Sequence, residues 1–212
     1  GISVYATLHH WDIPQQLNEK GGWTDRDIVD IFGKFAGKVA GTLGEYIDEY
    51  FILNEPWCSS LLSYYEGIHA PGRPLDGARA LPKARLAAHN LLRAQGWADE
   101  VLKEAAPKAK LSTSINVQPA YAYSDKAEDI EAARIAGASY YQWFLDPMFI
   151  GRYPESMVEL YGKDMPKIDK GDMEVIRVGG KLDSLGINYY RGALYACDKN
   201  AQLKFSEVKA DG

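Results

Sequence analysis

At 212 residues, 46% of them hydrophobic, the chain can bury one sizeable core and is not obviously two domains. Twenty-nine acidic against 24 basic residues give a net charge of -5, which speaks against nucleic acid or an anionic membrane surface as the main partner, and no apolar run approaches a membrane span. Cys58 and Cys197 lie far apart without CxxC or Cys/His spacing, which argues against a disulfide framework or a zinc site and for reduced thiols, as in the cytoplasm.

Ile2 to Leu8 is β-branched and aromatic and predicts the first strand, which runs into His9-His10-Trp11-Asp12. Two imidazoles, an indole and a carboxylate at a strand's end form a polar cluster that a core would not leave unpaired, so this tip reads as a site. Gly21-Gly22-Trp23 reads as a turn, and Thr24 with Asp27 as a capping box. Ile28, Phe32, Phe35 and Val39 then form the core stripe of a helix closed by Gly44.

Tyr50 to Leu53 is a short apolar run that reads as a buried parallel strand, followed at once by Asn54, Glu55, Pro56 and Trp57. Pro56 donates no backbone hydrogen bond and biases Glu55 towards extended geometry. The ladder is therefore expected to stop with Glu55 at the strand's C-terminal tip, where α/β barrels and open α/β sheets do chemistry. After an amphipathic stretch to Tyr65 comes a loop with Gly67, His69, Pro71, Gly72 and Pro74, in which His69 reads as structural.

A long helix is predicted from about Leu81 to Ala105, with His89 a satisfied core histidine on its packing face. Ala109 to Val117 is the third strand, ending near Asn116. Asp125 with Glu128 opens another helix carrying Ile130, Ala133, Ala138 and Tyr141, and Trp143 to Pro154 reads as an irregular aromatic connector. Helical turns follow at Met157 to Tyr161 and Asp172 to Arg177. Ser184 to Ile187 is the fourth strand, with Asn188-Tyr189-Tyr190 at its tip, and Ala193 to Phe205 reads as a β excursion. The β-α-β-α-β-α-β order supports part of a (β/α)8 TIM barrel: one α/β domain over 1–212, a half-barrel of about four parallel strands with helices. The rival open doubly wound sheet usually carries a glycine-rich phosphate turn after its first strand, and none is present. No cofactor or metal is expected.

The segments TLHHWDIPQQL, GGW, ILNEPW, GIHAPG, AAHNLLRAQG, WFLDPMFIGRYP and LGINYY, in order and in register, closely resemble family 1 glycoside hydrolases, the β-glucosidases and their relatives. That family folds as a (β/α)8 barrel, and this chain looks like its strands three to six. The resemblance implies Glu55 as general acid/base and Asn54 as the residue that hydrogen-bonds the sugar 2-hydroxyl. It further implies His10 and Trp11 in the sugar pocket, Tyr190 beside the nucleophile, and Trp57 and Asn116 lining the leaving-group site. The implied substrate is a β-glucoside or oligosaccharide. His9 stands where the family often has Tyr, and Gln95 where it often has His.

The family's nucleophile lies in a Thr-Glu-Asn-Gly motif that does not occur here, and its N-terminal sugar-binding Gln and C-terminal Trp/Glu pair are also missing. Both ends read as cut from something larger, which leaves a signal peptide open. Retaining glycosidases need two carboxyls, so the isolated chain is expected to hydrolyse β-glucosides little or not at all. It is also expected to fold stably only through self-association or beside complementary barrel strands. The alternatives are a non-catalytic sugar-binding or assembling half-barrel and a 6-phospho-β-glycosidase fragment.

Overall fold

The computed structural model describes residues 1–72 and 80–209, so Pro74 of the Gly/Pro loop lies outside the described residues. β1 (Tyr5–His9), β2 (Glu49–Asn54) and β3 (Lys110–Val117) pair in parallel. A short β4 (Ala120–Ala122) leaves for a second sheet, and β5 (Ser184–Tyr189) returns to β3, giving a four-stranded sheet ordered β1-β2-β3-β5. The crossovers are α1 (Gln15–Glu19) and α2 (Ile28–Leu43), then α3 (Ala80–Ala105), then α4 (Ala127–Gly137), α5 (Trp143–Phe149), α6 (Glu155–Tyr161) and α7 (Asp172–Val178). β6 (Ala193–Cys197) and β7 (Phe205–Val208) form an antiparallel hairpin in which β6 also pairs with β4. This is the part-barrel that the strand–helix alternation predicts, with the β excursion as an added hairpin.

β2 is buried because β1 and β3 flank it and α2 and α3 cover it; Tyr50, Ile52 and Leu53 are at most 1% exposed. At the opposite end of the strands from the NEP turn, Glu49 accepts hydrogen bonds from the Ser112 and Ser184 hydroxyls, tying β2, β3 and β5 together. His89 is the satisfied core histidine expected: its Nδ1 meets the Tyr153 hydroxyl at 2.7 Å and its Nε2 meets Asp172 Oδ2 at 3.0 Å. Asp172 also takes Arg26 and Arg93, each at 2.8 Å. Burial works against its charge, but hydrogen bonds from Arg26, His89 and the Asp169 N–H hold its carboxyl well below the usual range.

Several local expectations give way to tertiary packing. No capping box forms: Thr24 Oγ1 donates to the Gly21 carbonyl at 2.7 Å inside a 3-10 turn, and Asp25 Oδ1 accepts the Asp27 N–H at 3.0 Å. Gly44 does cap α2 as expected, though with φ -60 rather than a left-handed backbone, and leads into a further 3-10 turn. Phe35 is 46% exposed, not core, because α2 turns its Gly33, Ala36 and Ala40 flank inward, and Gly33 abuts Trp97 of α3. Ile130 is likewise exposed, and α4 begins after Lys126 rather than at Asp125. Asp129 orients this end instead, accepting Ser124 Oγ at 2.5 Å and the Cys197 N–H at 2.8 Å. The aromatic connector is mostly helical: Trp143, Phe144 and Met148 anchor α5 in the core despite Pro147 within it.

α3 meets α7 at Gly96, where a Cβ would lie 1.9 Å from the Val175 carbonyl oxygen. Gly96→Ala must push rigid backbone apart and is expected to cost about 1–3 kcal/mol. Urea unfolding at fixed chain concentration checks this, and an unchanged midpoint would contradict the packing described.

Candidate active site

Parallel register places the polar strand ends side by side: His9 pairs with Leu53, Asn54 with Ser114 and Asn116 with Asn188. Glu55 follows β2 directly. Its N–H still reaches the Ser114 carbonyl at 2.8 Å, while its own carbonyl accepts the Cys58 N–H at 2.8 Å, so the chain must swing within one residue from strand to helical turn. Glu55 therefore departs from the extended geometry that Pro56 favours and takes φ 47, and Trp11 at the neighbouring tip takes φ 78. A left-handed backbone at a residue other than glycine costs on the order of 1–3 kcal/mol and recurs at functional sites.

The Glu55 carboxyl is 5% exposed and has one neutral donor on each oxygen. Asn188 Nδ2 donates to Oε1 at 2.7 Å, and Cys58 Sγ donates to Oε2 at 3.1 Å. The same Asn188 amide reaches Asn54 Oδ1 at 3.1 Å, and Asn54 Nδ2 lies 3.3 Å from His10 Nε2. His10, Asn54, Asn188 and Glu55 thus form one hydrogen-bonded chain running across the strand tips.

Glu55 opens into a cavity of about 310 Å³ lined also by Trp11, Trp57, His69, Asn116 and Tyr190. Three of these residues carry a buried polar atom without a partner among the described residues: Trp11 Nε1, His69 Nδ1 and Asn116 Oδ1. Trp11 packs against both His10 and His69, with ring centroids 4.8 and 4.6 Å apart. Trp57 lies against Tyr140 at 4.3 Å, and Asn116 Nδ2 donates to the Tyr140 hydroxyl at 3.1 Å. This pair borders a second cavity of about 440 Å³ reaching Tyr65, Gln118, Tyr195 and Glu207 of the hairpin. Tyr190 is 80% exposed at the mouth. Among the described residues no three His, Cys, Asp or Glu side chains are gathered as a metal site would need.

All seven residues picked from the sequence thus fall at this end of the sheet. The sequence reading missed four others. Asn188 is marked in the sequence only by its place at a strand tip, and His69, expected to be structural, forms part of the cavity wall. Cys58, expected only as a reduced thiol, is the donor to Glu55 Oε2. Tyr140 carried no signal, because it sits in one of two π-helical turns, Cys58–Leu62 and Ala138–Gln142, that flank the cavity. Such turns break the helical period that sequence patterns rely on.

The family described as glycosyl hydrolase family 1 matches residues 1–212. The chain is 36% identical over 220 residues to a beta-glucosidase of Agrobacterium sp., covering 100% of this chain and 46% of that protein. It is 34% identical over 210 residues to beta-glucosidase A of Acetivibrio thermocellus, covering 99% of this chain and 46% of that protein. A family 1 b-glucosidase structure from Thermotoga maritima superposes with a TM-score of 0.91 at 35% identity, covering 100% of this chain and 46% of that one. The chain spans about half the length of the curated relatives it matches.

The two neighbouring imidazoles diverge. His9 turns away from the cavity, 4% exposed, with Nε2 3.1 Å from Ser59 Oγ and its ring edge-on to Trp23. Burial, and then the charge of His10, push its pKa down to about 4. A histidine whose folded pKa lies below the unfolded value near 6.5 contributes fully above that value and loses its contribution as pH falls towards 4. Up to about 3 kcal/mol should disappear across this window. Across this window the wild type should lose more unfolding free energy than His9→Gln as pH falls; parallel curves would refute the assignment.

Proposed function

The chain belongs to glycosyl hydrolase family 1, and from that membership we propose that it supplies the acid/base half of a retaining β-glucosidase site. The observation that carries the reading is a buried carboxyl, Glu55, at the tip of the central strand, facing a cavity whose wall holds unpaired donors and acceptors. Sugar hydroxyls both donate and accept, so such a wall suits a sugar ring. Asn54, His10 and Trp11 would hold that ring, while Trp57 and Asn116 would meet the leaving group. A longer, oligosaccharide leaving group would extend past the Trp57–Tyr140 pair into the second cavity, where aromatic rings and polar groups alternate.

In the first step Glu55 gives its proton to the glycosidic oxygen as the bond to the anomeric carbon breaks. A second carboxylate, supported by Tyr190 and not carried by this chain, forms the glycosyl ester. In the second step the Glu55 carboxylate takes a proton from water as that water attacks the anomeric carbon and displaces the second carboxylate. The Asn188 Nδ2–H donates to Oε1, a contact that the carboxylate of the second step can accept.

The missing carboxylate bears on both activity and assembly. Purified 212-residue chain is expected to show no turnover of an aryl β-glucoside above background, whereas addition of a segment carrying the second carboxylate should produce turnover that Glu55→Gln lowers at least about 1,000-fold. Turnover by the chain alone that Glu55→Gln abolishes would overturn the half-site reading; complemented turnover that survives Glu55→Gln would overturn the role of Glu55. The sheet edges carry exposed Tyr5, Ile187 and Tyr189, which favour self-association or pairing with complementary strands. Sedimentation at high dilution should show more than a monomer, and a single monomeric species with cooperative unfolding would count against this.

A further inference from the structure

Cys58 is the first residue of the π-helical turn that follows Glu55, and its thiol is 4% exposed. Serine hydroxyls brace the turn: Ser60 Oγ donates to the Pro56 carbonyl at 2.6 Å and Ser63 Oγ to the Cys58 carbonyl at 3.1 Å. Sγ is therefore held on the carboxyl side of the turn, 3.1 Å from Glu55 Oε2, and is the hydrogen-bond partner of that oxygen among the described residues.

The two partners of the carboxyl differ in kind. An amide N–H such as that of Asn188 only donates, whereas a thiol donates weakly through S–H and accepts weakly through sulfur. A group that gives up a proton and takes it back needs a neighbour able to serve both forms. By rotating about Cβ–Sγ, the thiol can point S–H at the carboxylate or present a lone pair to the carboxylic acid. An apolar side chain at position 58 would leave a buried oxygen unpaired. A serine hydroxyl would donate more strongly and favour the ionised form.

We propose that Cys58 is a positioning residue for Glu55, holding Oε2 in both protonation states so that the carboxyl keeps its aim into the cavity. The catalytic meaning of this contact rests on the reading of Glu55 as the acid/base, but the contact itself does not. The titratable and charged groups that share the cavity with the pair are His69, Tyr140, Tyr190 and Arg191. Burial first, and then the hydrogen bond to Glu55 and its charge, push the Cys58 thiol far above the usual cysteine range, so it remains S–H throughout the working pH range.

The S–H stretch, read by infrared spectroscopy on the full chain carrying Cys197→Ser, tests the proposal without needing turnover. The band is expected at the low frequency of a bonded thiol at neutral pH, to step upward when Glu55 takes a proton in acid, and to lose that step in Glu55→Gln. A band that ignores both pH and Glu55→Gln would overturn the proposal. Should Glu55→Gln fail to fold, Asn188→Ala removes the other partner and should leave the bonded band and its pH step in place; loss of the step would overturn it equally. In the complemented chain, Cys58→Ala should lower kcat about tenfold with KM within twofold and displace the pH profile, and Cys58→Ser should recover most of kcat with the profile moved to lower pH. Turnover that survives Glu55→Gln would remove the acid/base reading and leave the contact standing. A band indifferent to Glu55 would remove this proposal and leave that reading standing.

Discussion

One amide group joins the strands that make the site. Asn188 sends its two N–H bonds to Asn54 and to Glu55, residues more than 130 positions earlier in the chain, across the intervening β3. This is possible because parallel register brings Asn188 level with Asn116 and Asn54 level with Ser114. Slipping β5 by one residue would turn its side chains to the opposite face and leave a buried carboxylate with only a thiol for company. The serine ties onto Glu49 at the far end of the same strands pin that register from below.

Around this bond the chain accepts local strain. Glu55 and Trp11 both sit at positive φ, each just beyond the end of a strand. The cost is met elsewhere, by the burial of β2 and by α3, whose Arg85 stacks between Trp143 and Tyr161 and holds Ser139 at 2.8 Å. Ser139 lies in the π-helical turn that carries Tyr140, so a core contact fixes the aromatic wall of the cavity. The strained backbone thus lies where the site meets the sheet, with Glu55 buried there.

The histidine pair shows how narrowly environment decides role. Residues adjacent in sequence point to opposite faces of a strand. His9 is carried into the core against Trp23 and is held neutral there, while His10 reaches Asn54 at the tip of β2. Nothing in the two side chains themselves distinguishes them.

From sequence alone came the strand–helix alternation, the buried central strand, the carboxyl at its tip, and the polar ends of its neighbours, because hydrophobic period and proline placement act over a few residues and are written there directly. Only the folded chain decided that His69, Cys58 and Tyr140 belong to the cavity, that Asn188 bridges Asn54 and Glu55, and that Glu55 leaves the extended region its proline favours. It also set Phe35 outward and left the expected capping box unformed. The reason is common to all of these: each depends on a partner far along the chain or on a register between strands, and a local pattern carries no record of which distant group will lie opposite.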